Sequence, residues 1–184
     1  MYGQGRSHDL LVSPLHWFSM PVPLDGNLMQ HALDEGSRTA IGGAGVYCIE
    51  GRQDARPEGG ILYIGLANGR REDGELESGT PGQPVHERAS QSLAKVRWSA
   101  GGVRGFFADV WDLKLRWASV DVADVAEVEQ NLIHAHAPSF NRQHVRSELN
   151  LQKGRVILNA GDKGRLLPVV CSLYFDGPFW RNIE

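Results

Sequence analysis

Two short apolar runs, each with a tyrosine and each next to a glycine, most constrain how this chain can fold. They are VYCI at residues 46–49 and ILYI at residues 61–64, and the segment between them, GRQDARPEGG, is rich in turn-forming residues. β-branched and aromatic residues favour strands, and turn formers between two such runs indicate a hairpin. The sequence therefore predicts an antiparallel hairpin of residues 46–50 and 61–65 with a long loop.

Three further segments carry a recognisable pattern. Residues 114–120, KLRWASV, alternate in polarity and predict a third strand. One helix is predicted at residues 84–96, with a proline in its first turn, and another at residues 122–136, with Asp121 as its N-cap and Pro138 just beyond its end. The order β-β-α-β-α predicts an α+β fold in which helices pack on a small sheet.

Composition limits the class of protein. A length of 184 residues suits one domain, and 41% apolar with 22% charged residues is ordinary for a globular protein. No apolar run approaches the roughly 20 residues that span a bilayer, and the N-terminus does not resemble a secretion signal. The two cysteines lack metal-ligand spacing. We therefore expect a cytoplasmic protein with free thiols and no membrane segment.

Glu129 is the residue whose position most needs an explanation. The apolar residues of the second predicted helix recur at helical spacing, and Glu129 lies on or beside the face that they form, whereas Glu127 is predicted to face solvent. A carboxylate at a buried edge costs several kcal/mol unless it is paired, hydrogen-bonded or bound to a cation. Glu129 therefore either has such a partner or packs its stem and reaches water with its carboxylate.

Taken in order, these residues resemble the GIY-YIG nuclease family. The set consists of Gly-Val-Tyr at 45–47, Tyr-Ile-Gly at 63–65, Arg88 on the first predicted helix, Glu129 followed by Leu-Ile, and Asn141 three residues after a proline. In that family the two tripeptides lie on adjacent strands and their tyrosines converge on the active site. The resemblance implies a small three-stranded, mainly antiparallel sheet flanked by helices.

The resemblance also implies roles for the matching residues in the hydrolysis of a phosphodiester bond. Glu129 would hold one divalent cation, and its hard carboxylate oxygen suits Mg²⁺ or Mn²⁺. Tyr47 would activate or orient the attacking water, Tyr63 would orient the water or the phosphate, and Arg88 would grip the phosphate and supply positive charge. Asn141 would support the site structurally.

Three features of the chain depart from the pattern of the family. Ser92 stands where many members carry a histidine one turn after the arginine, and Leu66 stands where a lysine often follows the second tripeptide. The segment between the two tripeptides is also longer than usual. These departures concern the general base and its auxiliary groups more than the fold.

The resemblance covers roughly residues 45–141, which leaves an N-terminal extension at residues 1–44 and a C-terminal extension at residues 142–184. Residues 142–165 contain six basic and two acidic residues, and two apolar runs around a turn predict a second hairpin over residues 155–175. Basic residues attract phosphate, so we expect this extension to contact DNA or to form a dimer interface. The candidate contacts are Arg142, Arg146, Lys153 and Arg155.

Several biological roles are compatible with such a nuclease. A sequence-specific, restriction-type endonuclease that cuts duplex DNA is the main expectation, and a homodimer would then allow paired cuts in the two strands. A structure-directed nicking or repair nuclease would work as a monomer. A catalytically lapsed domain that only binds nucleic acid is the non-enzymatic alternative. Cleavage of DNA distinguishes the two nucleases from the binding domain. Cut positions that are shared across molecules distinguish the restriction-type enzyme from the structure-directed one.

Overall fold

The computed structural model describes residues 10–22, 44–53, 56–67, 89, 110–141 and 154–174. Strands account for 61% of these residues. They are β1 (Leu10–Pro21), β2 (Gly45–Gln53), β3 (Arg56–Ala67), β4 (Val110–Ser119), β5 (Gly154–Gly161) and β6 (Val169–Cys171). The longest described helix, α1, spans Val125–His136, and a short 3₁₀ turn follows β6 at Ser172–Tyr174. No helix in the described ranges is long and apolar enough to cross a membrane.

All six strands join one sheet in the order β3-β2-β4-β1-β5-β6. β2 pairs antiparallel with β3 on one side and with β4 on the other, and β4 pairs antiparallel with β1. β1 and β5 are parallel, whereas β5 and β6 are antiparallel. The sheet is therefore mixed, and it curls into a half-barrel.

The expected fold class is wrong. The described residues form a six-stranded mixed sheet with a single helix of more than one turn, and not a small three-stranded antiparallel sheet flanked by helices. The added strands come from the two extensions, because β1 precedes the first tripeptide and β5 and β6 follow α1. The antiparallel trio β3-β2-β4 forms one half of this larger sheet.

Proline obscured β1 in the sequence. Pro14 lies inside this strand, where β5 pairs with residues 10–17 and β4 pairs only with residues 18–21. At Pro14, therefore, β1 has a described neighbour on one side only. Proline cannot donate to a ladder, so in sheets it occurs mostly where its nitrogen does not face a paired strand.

Both predicted hairpins form. β2 and β3 pair antiparallel with Tyr47 opposite Gly65, but the strands continue to Gln53 and Arg56, so the predicted long loop is largely strand. β5 and β6 pair antiparallel as expected, and residues 162–168 connect them. The predicted third strand is confirmed as β4.

The second predicted helix is confirmed as α1, although it begins three residues late. Asp124 occupies the N-cap position without a side-chain cap, whereas Asp121 accepts a hydrogen bond from the Ala123 N–H at 2.9 Å. Asp121 therefore orders the turn that leads into α1. Of the helix predicted at residues 84–96, only Ala89 lies within the described residues, and it is helical.

β2 is buried on both faces because the sheet has a core on each side. The helix-side core contains Val46, Cys48, Ile64 and Ala118 together with the apolar face of α1. The tyrosine-side core lies on the opposite face of the sheet. Its buried members are Met20, Tyr47, Ile49, Leu62, Ala67, Ala89, Leu115 and Trp117. Successive residues of β2 thus alternate between the two cores.

His136 joins the end of α1 to the turn that connects β5 and β6. Its Nδ1 lies 2.9 Å from the Leu132 carbonyl oxygen, and its Nε2 accepts a hydrogen bond from the Leu167 N–H at 2.9 Å. This geometry requires a neutral ring with the proton on Nδ1. Burial lowers the pKa of His136 from its ordinary value of 6.5, against the raising effect of the Leu132 hydrogen bond.

Acidification should therefore destabilise the fold through His136. A lowered pKa means that the unfolded chain binds this proton more readily, so stability is full above about pH 6.5 and falls as the pH drops toward the lowered pKa. Denaturant unfolding at about pH 7.5 and about pH 5 measures the loss. We expect a smaller loss in His136→Gln, which cannot titrate there, and His16→Gln controls for removal of an exposed imidazole. An equal loss in His136→Gln and wild type would contradict this role.

Candidate functional site

The structure places Tyr47 and Tyr63 side by side. Tyr47 lies on β2 opposite Gly65, and Tyr63 lies on β3 opposite Ile49, so the two tyrosines are diagonal neighbours across the hairpin. Their ring centroids are 6.1 Å apart and their planes are tilted by 36°. Tyr47 is 1% exposed, whereas Tyr63 is half-buried. The hairpin therefore brings together the two phenols on which the resemblance depends.

Steric crowding explains why each tripeptide contains a glycine. A Cβ at Gly65 would lie 2.5 Å from both Cζ and Oη of Tyr47, because the phenol crosses this position of β3. A Cβ at Gly45 would collide with the main-chain oxygen of Ala118 on β4. One glycine thus makes room for the Tyr47 ring, and the other allows the close approach of β4.

A β-bulge in β3 lies beside the tyrosines. Tyr63 is opposite Ile49 and Ile61 is opposite Glu50, so Leu62 is an extra residue on β3. Both Leu62 and Tyr63 consequently contribute to the tyrosine-side core although they are adjacent in sequence. A bulge changes the direction in which side chains point and increases the local twist. Here it allows Leu62 to pack beside Tyr63 on the tyrosine side of the sheet.

Asn141 binds the middle residue of the Tyr-Ile-Gly tripeptide. Its Oδ1 accepts a hydrogen bond from the Ile64 N–H at 2.9 Å, and its Nδ2 donates to the Ile64 carbonyl oxygen at 2.8 Å. β3 is the end strand of the described sheet, so Asn141 replaces part of a missing neighbouring strand. Both contacts are with the backbone of β3.

Residues 138–141 connect the helix side of the sheet to the tyrosine side along the β3 edge. The N–H of Phe140 donates to the Leu62 carbonyl oxygen at 2.9 Å, and the N–H of Ser139 approaches the Ile61 carbonyl oxygen at 3.4 Å. Phe140 then packs against the tyrosine-side core. A site that used both α1 and the tyrosines would therefore lie at this edge.

Glu129 lies half-buried on α1, on the flank opposite Glu127. Two residues along a helix differ by about 200°, so Glu127 and Glu129 lie on either side of Val128, which packs into the helix-side core. Glu127 reaches Arg155 on β5, and the other flank faces the β3 half of the sheet. α1 packs on the helix-side face of the sheet, whereas Tyr47 and Tyr63 pack into the tyrosine-side core on the opposite face.

Arg155 was predicted to contact phosphate, but its side chain is buried. It is 2% exposed, and its Nη1 donates to Ser13 Oγ at 2.5 Å. Its Nη2 donates to Asp124 Oδ1 and Glu127 Oε2, both at 2.8 Å. The guanidinium therefore ties α1 to β1 and β5, and Glu127, expected to face solvent, is one of its partners. No local spacing in the sequence connects residues so far apart.

The other predicted site residues lie outside the described residues. These are Arg88, Arg142, Arg146 and Lys153, as well as Ser92. Ala89, which directly follows Arg88, is fully buried in the tyrosine-side core. In the described part of the chain, no group of three or more His, Cys, Asp or Glu side chains is arranged to hold a metal ion. Among those residues, Glu129 is therefore not part of such a group.

Sequence reasoning missed a buried charge network at the far end of β2. Arg116 and Glu50 are 5% and 8% exposed, and Arg116 Nε lies 3.0 Å from Glu50 Oε1. Glu50 Oε1 also accepts a hydrogen bond from the Arg165 N–H at 2.9 Å. The alternation of KLRWASV placed Lys114 and Arg116 on one face of a strand, which was the available signal.

Gly65→Ala should disrupt the tyrosine pair. The added methyl group would overlap the Tyr47 phenol, and overpacking of this kind costs about 1–3 kcal/mol. Denaturant unfolding of Gly65→Ala, Tyr47→Leu and the double variant gives the coupling between the two positions. We expect the alanine to cost less in the Tyr47→Leu background, whereas equal costs would show that the ring does not occupy this space.

Asn141→Asp should destabilise the β3 edge although it preserves the shape of the side chain. The carboxylate can still accept from the Ile64 N–H, but it cannot donate to the Ile64 carbonyl oxygen and would repel it. The expected loss of unfolding free energy is about 1–3 kcal/mol, by urea denaturation. Asn141→Ala provides the comparison without this repulsion, and stability equal to wild type in both variants would contradict the bridge.

Comparison of the chain with protein-family models, curated proteins and solved structures gives no match. The case for a function therefore depends on the arrangement of the described residues and on the resemblance of their sequence. The most specific part of that arrangement is the hairpin of the two tripeptides, with the Tyr47 phenol over Gly65 and the Asn141 amide on Ile64.

Proposed function

We propose that the chain is a metal-dependent endonuclease that hydrolyses phosphodiester bonds in DNA, as its resemblance to the GIY-YIG family implies. The observation that carries the proposal is the tyrosine pair on β2 and β3, with ring centroids 6.1 Å apart. Gly65 and Asn141, which belong to the same motif set, contact this pair and its strand directly. Four positions of the motif thus have a physical reason to occur together.

The tyrosines differ in exposure, and this suggests a division of labour. Tyr63 is half-buried, so its ring meets solvent and can orient a phosphate or a water. Tyr47 is enclosed, and confinement by Gly65 and the core holds its phenol in one orientation. A phenol held in this way would position an attacking water without reorganisation, as catalysis needs. Arg88 would add positive charge at the phosphate.

A divalent cation would be held by Glu129, whose carboxylate supplies a hard oxygen ligand suited to Mg²⁺ or Mn²⁺. When bound, it would act as a Lewis acid on the phosphate and the departing oxygen. Glu129 lies half-buried on a helix that is fixed by its apolar face and by Arg155, so the carboxylate has a rigid support.

Duplex DNA is the proposed substrate, with restriction-type cleavage by a homodimer as the leading role. Arg142, Arg146 and Lys153 remain the proposed phosphate contacts of the C-terminal extension. Arg155 is no longer one of these contacts, because its guanidinium donates to Ser13, Asp124 and Glu127. A structure-directed nickase would use the same site as a monomer.

A second candidate function is nucleic-acid binding without cleavage. The specific observation that favours it is the burial of Tyr47, which is 1% exposed and packs within the tyrosine-side core. A tyrosine enclosed in this way also serves as an ordinary core residue of a strand. The presence of Ser92 and Leu66 in place of the frequent histidine and lysine points the same way.

Cleavage of supercoiled plasmid with Mg²⁺ or Mn²⁺, and with EDTA, tests the proposal. Wild type should cut only with the metal, and Glu129→Gln should lose activity on the order of 10²-fold or more. Tyr47→Phe should lose about 10²- to 10⁴-fold if its hydroxyl takes part in proton transfer. Glu58→Gln is the matched control, because it removes an exposed carboxylate on β3 and leaves Arg155 with its partners Asp124 and Glu127.

The pattern of products and variants decides between the candidates. Discrete linear fragments would support restriction-type cleavage, and scattered nicks would support the structure-directed alternative. If wild type binds DNA but cuts neither duplex, single-stranded nor branched DNA, the binding function replaces the nuclease. Equal cutting by wild type, Glu129→Gln and Tyr47→Phe would overturn the proposed site.

A further inference from the structure

Six of the eight exposed large apolar side chains in the described part of the chain lie on one surface. Side chains alternate between the two faces of a strand, and Leu15 and Trp17 of β1 pack into the helix-side core. The intervening residues of β1 therefore point to the tyrosine side, together with their register partners on β5 and β6. The six are Leu10, Val12 and Phe18 on β1, Leu158 on β5, Val169 on β6, and Leu173 in the turn after β6. We call this surface the β1–β5–β6 face.

The sheet register and one glycine place the later side chains on this face. Leu158 lies opposite β1 at a position that points the same way as Leu10, and Val169 is the register partner of Leu158. A Cβ at Gly154 would lie 2.8 Å from Leu173 and 3.2 Å from Leu10, so these two leucines flank the same position of β5. The β1–β5–β6 face is therefore continuous from β1 to the turn after β6.

The tyrosine side of the sheet is covered over one half and open over the other. Over β2, β3 and β4, residues from outside the strands help to close the tyrosine-side core, among them Ala89 and Phe140. Phe18 marks the boundary, because its ring stacks on the buried Trp117 ring with centroids 6.0 Å apart. Beyond this boundary, Val12 is 56% exposed in the part of the chain that the structure describes.

The β1–β5–β6 face is large for an apolar surface in water. Between Leu10 and Phe18, β1 runs for about 26 Å at roughly 3.3 Å per residue, and with its neighbours about 4.8 Å apart the face covers roughly 300–400 Å². Monomeric proteins rarely expose larger apolar patches, and patches of this size often bind a partner. Removal of such an area from water is the main favourable contribution to association.

The chemistry of the face favours a protein partner over a nucleic acid. Among the described residues that point to this face from β1, β5 and β6, there is no Asp, Glu, Lys or Arg. Surfaces that bind DNA are strongly positive, whereas the core of a protein–protein interface is depleted of charged residues. The surface that fits this face is therefore an apolar protein surface.

We propose that the β1–β5–β6 face is the interface between two copies of this chain. Apolar sheet faces pack on one another about 10 Å apart, and a second copy offers a face of the same size and chemistry, as a two-fold interface requires. A standard interface buries about 800 Å² per partner, with an apolar core inside a polar rim. The face would supply such a core.

The inference rests on the proposed function for its purpose, because a homodimer allows paired cuts in the two strands of duplex DNA. It adds the surface that would hold the two copies together. Its physical argument is separate, since it depends on the exposed apolar side chains and the missing charges of the face and not on the tyrosines.

Sedimentation equilibrium over a range of protein concentrations, without DNA or metal, tests the interface. We expect wild type to be a dimer that dissociates on dilution. Val12→Lys and Leu158→Lys each introduce a charge that occurs twice in a two-fold interface, so the dissociation constant should rise on the order of 100-fold or more. Val122→Lys is the matched control and should stay close to wild type, because Val122 is 44% exposed but precedes α1, outside the face.

Thermal unfolding of each variant verifies that it folds. If a lysine prevents folding, Val12→Thr keeps a branched side chain in the strand and should still weaken the dimer about tenfold, because association must desolvate a hydroxyl in each copy. Equal dissociation constants for Val12→Lys, Leu158→Lys and Val122→Lys would overturn the proposal. A monomeric wild type would also overturn it, and a melting temperature lowered much more by Val12→Lys than by Val122→Lys would then show that another part of the same chain covers the face.

Plasmid cleavage separates this inference from the nuclease proposal. A dimer that is weakened by Val12→Lys but cuts no DNA would refute the nuclease and leave the interface standing. Metal-dependent cutting by a protein that stays monomeric would refute the interface and favour the structure-directed nickase.

Discussion

Burial of β2 on both faces is the constraint on which the rest of the structure depends. Its residues from Gly45 to Gly51 are shielded by α1 on one side and by the tyrosine-side core on the other. A strand without a solvent face must satisfy its backbone through both neighbours, and β3 and β4 do so along most of its length. Because both faces of β2 are closely packed, a shift in its register would move every side chain into space that is already filled. The position of Tyr47 is therefore strongly determined.

Around this strand, the polar groups hold the elements in place. Arg155 joins α1 to β1 and β5, and Asn141 joins the segment after α1 to the edge of β3. Arg155 makes its hydrogen bonds from a buried side chain, where an unsatisfied partner would be costly, and Asn141 makes two from a half-buried one. α1, and with it Glu129, is thereby fixed relative to the tyrosines from both ends of the helix. The same interactions would position a catalytic carboxylate or merely complete a stable core.

Much of the local structure was predictable. The two tyrosine-bearing runs, the strand at KLRWASV and the helix of Glu129 have short-range patterns, and each forms close to its predicted position. In the extensions, the hairpin of β5 and β6 was also predicted, whereas β1 and its pairing with β5 were not. β1 contains Pro14, and its parallel partner β5 lies about 140 residues away in the chain. Parallel pairing leaves no turn signal between its strands, because the connection can take any path.

The sequence alone determined that residues 46–50 and 61–65 would pair, because alternation and turn chemistry act over a few residues. It also determined that Gly45 and Gly65 would flank two tyrosines, which is the basis of the resemblance to a nuclease. Only the tertiary structure decided that Arg155 would be buried against Asp124 and Glu127 and that apolar side chains of β1, β5 and β6 would share one face. Those contacts join distant segments, and charge or hydrophobicity along a chain does not reveal which distant residues will meet.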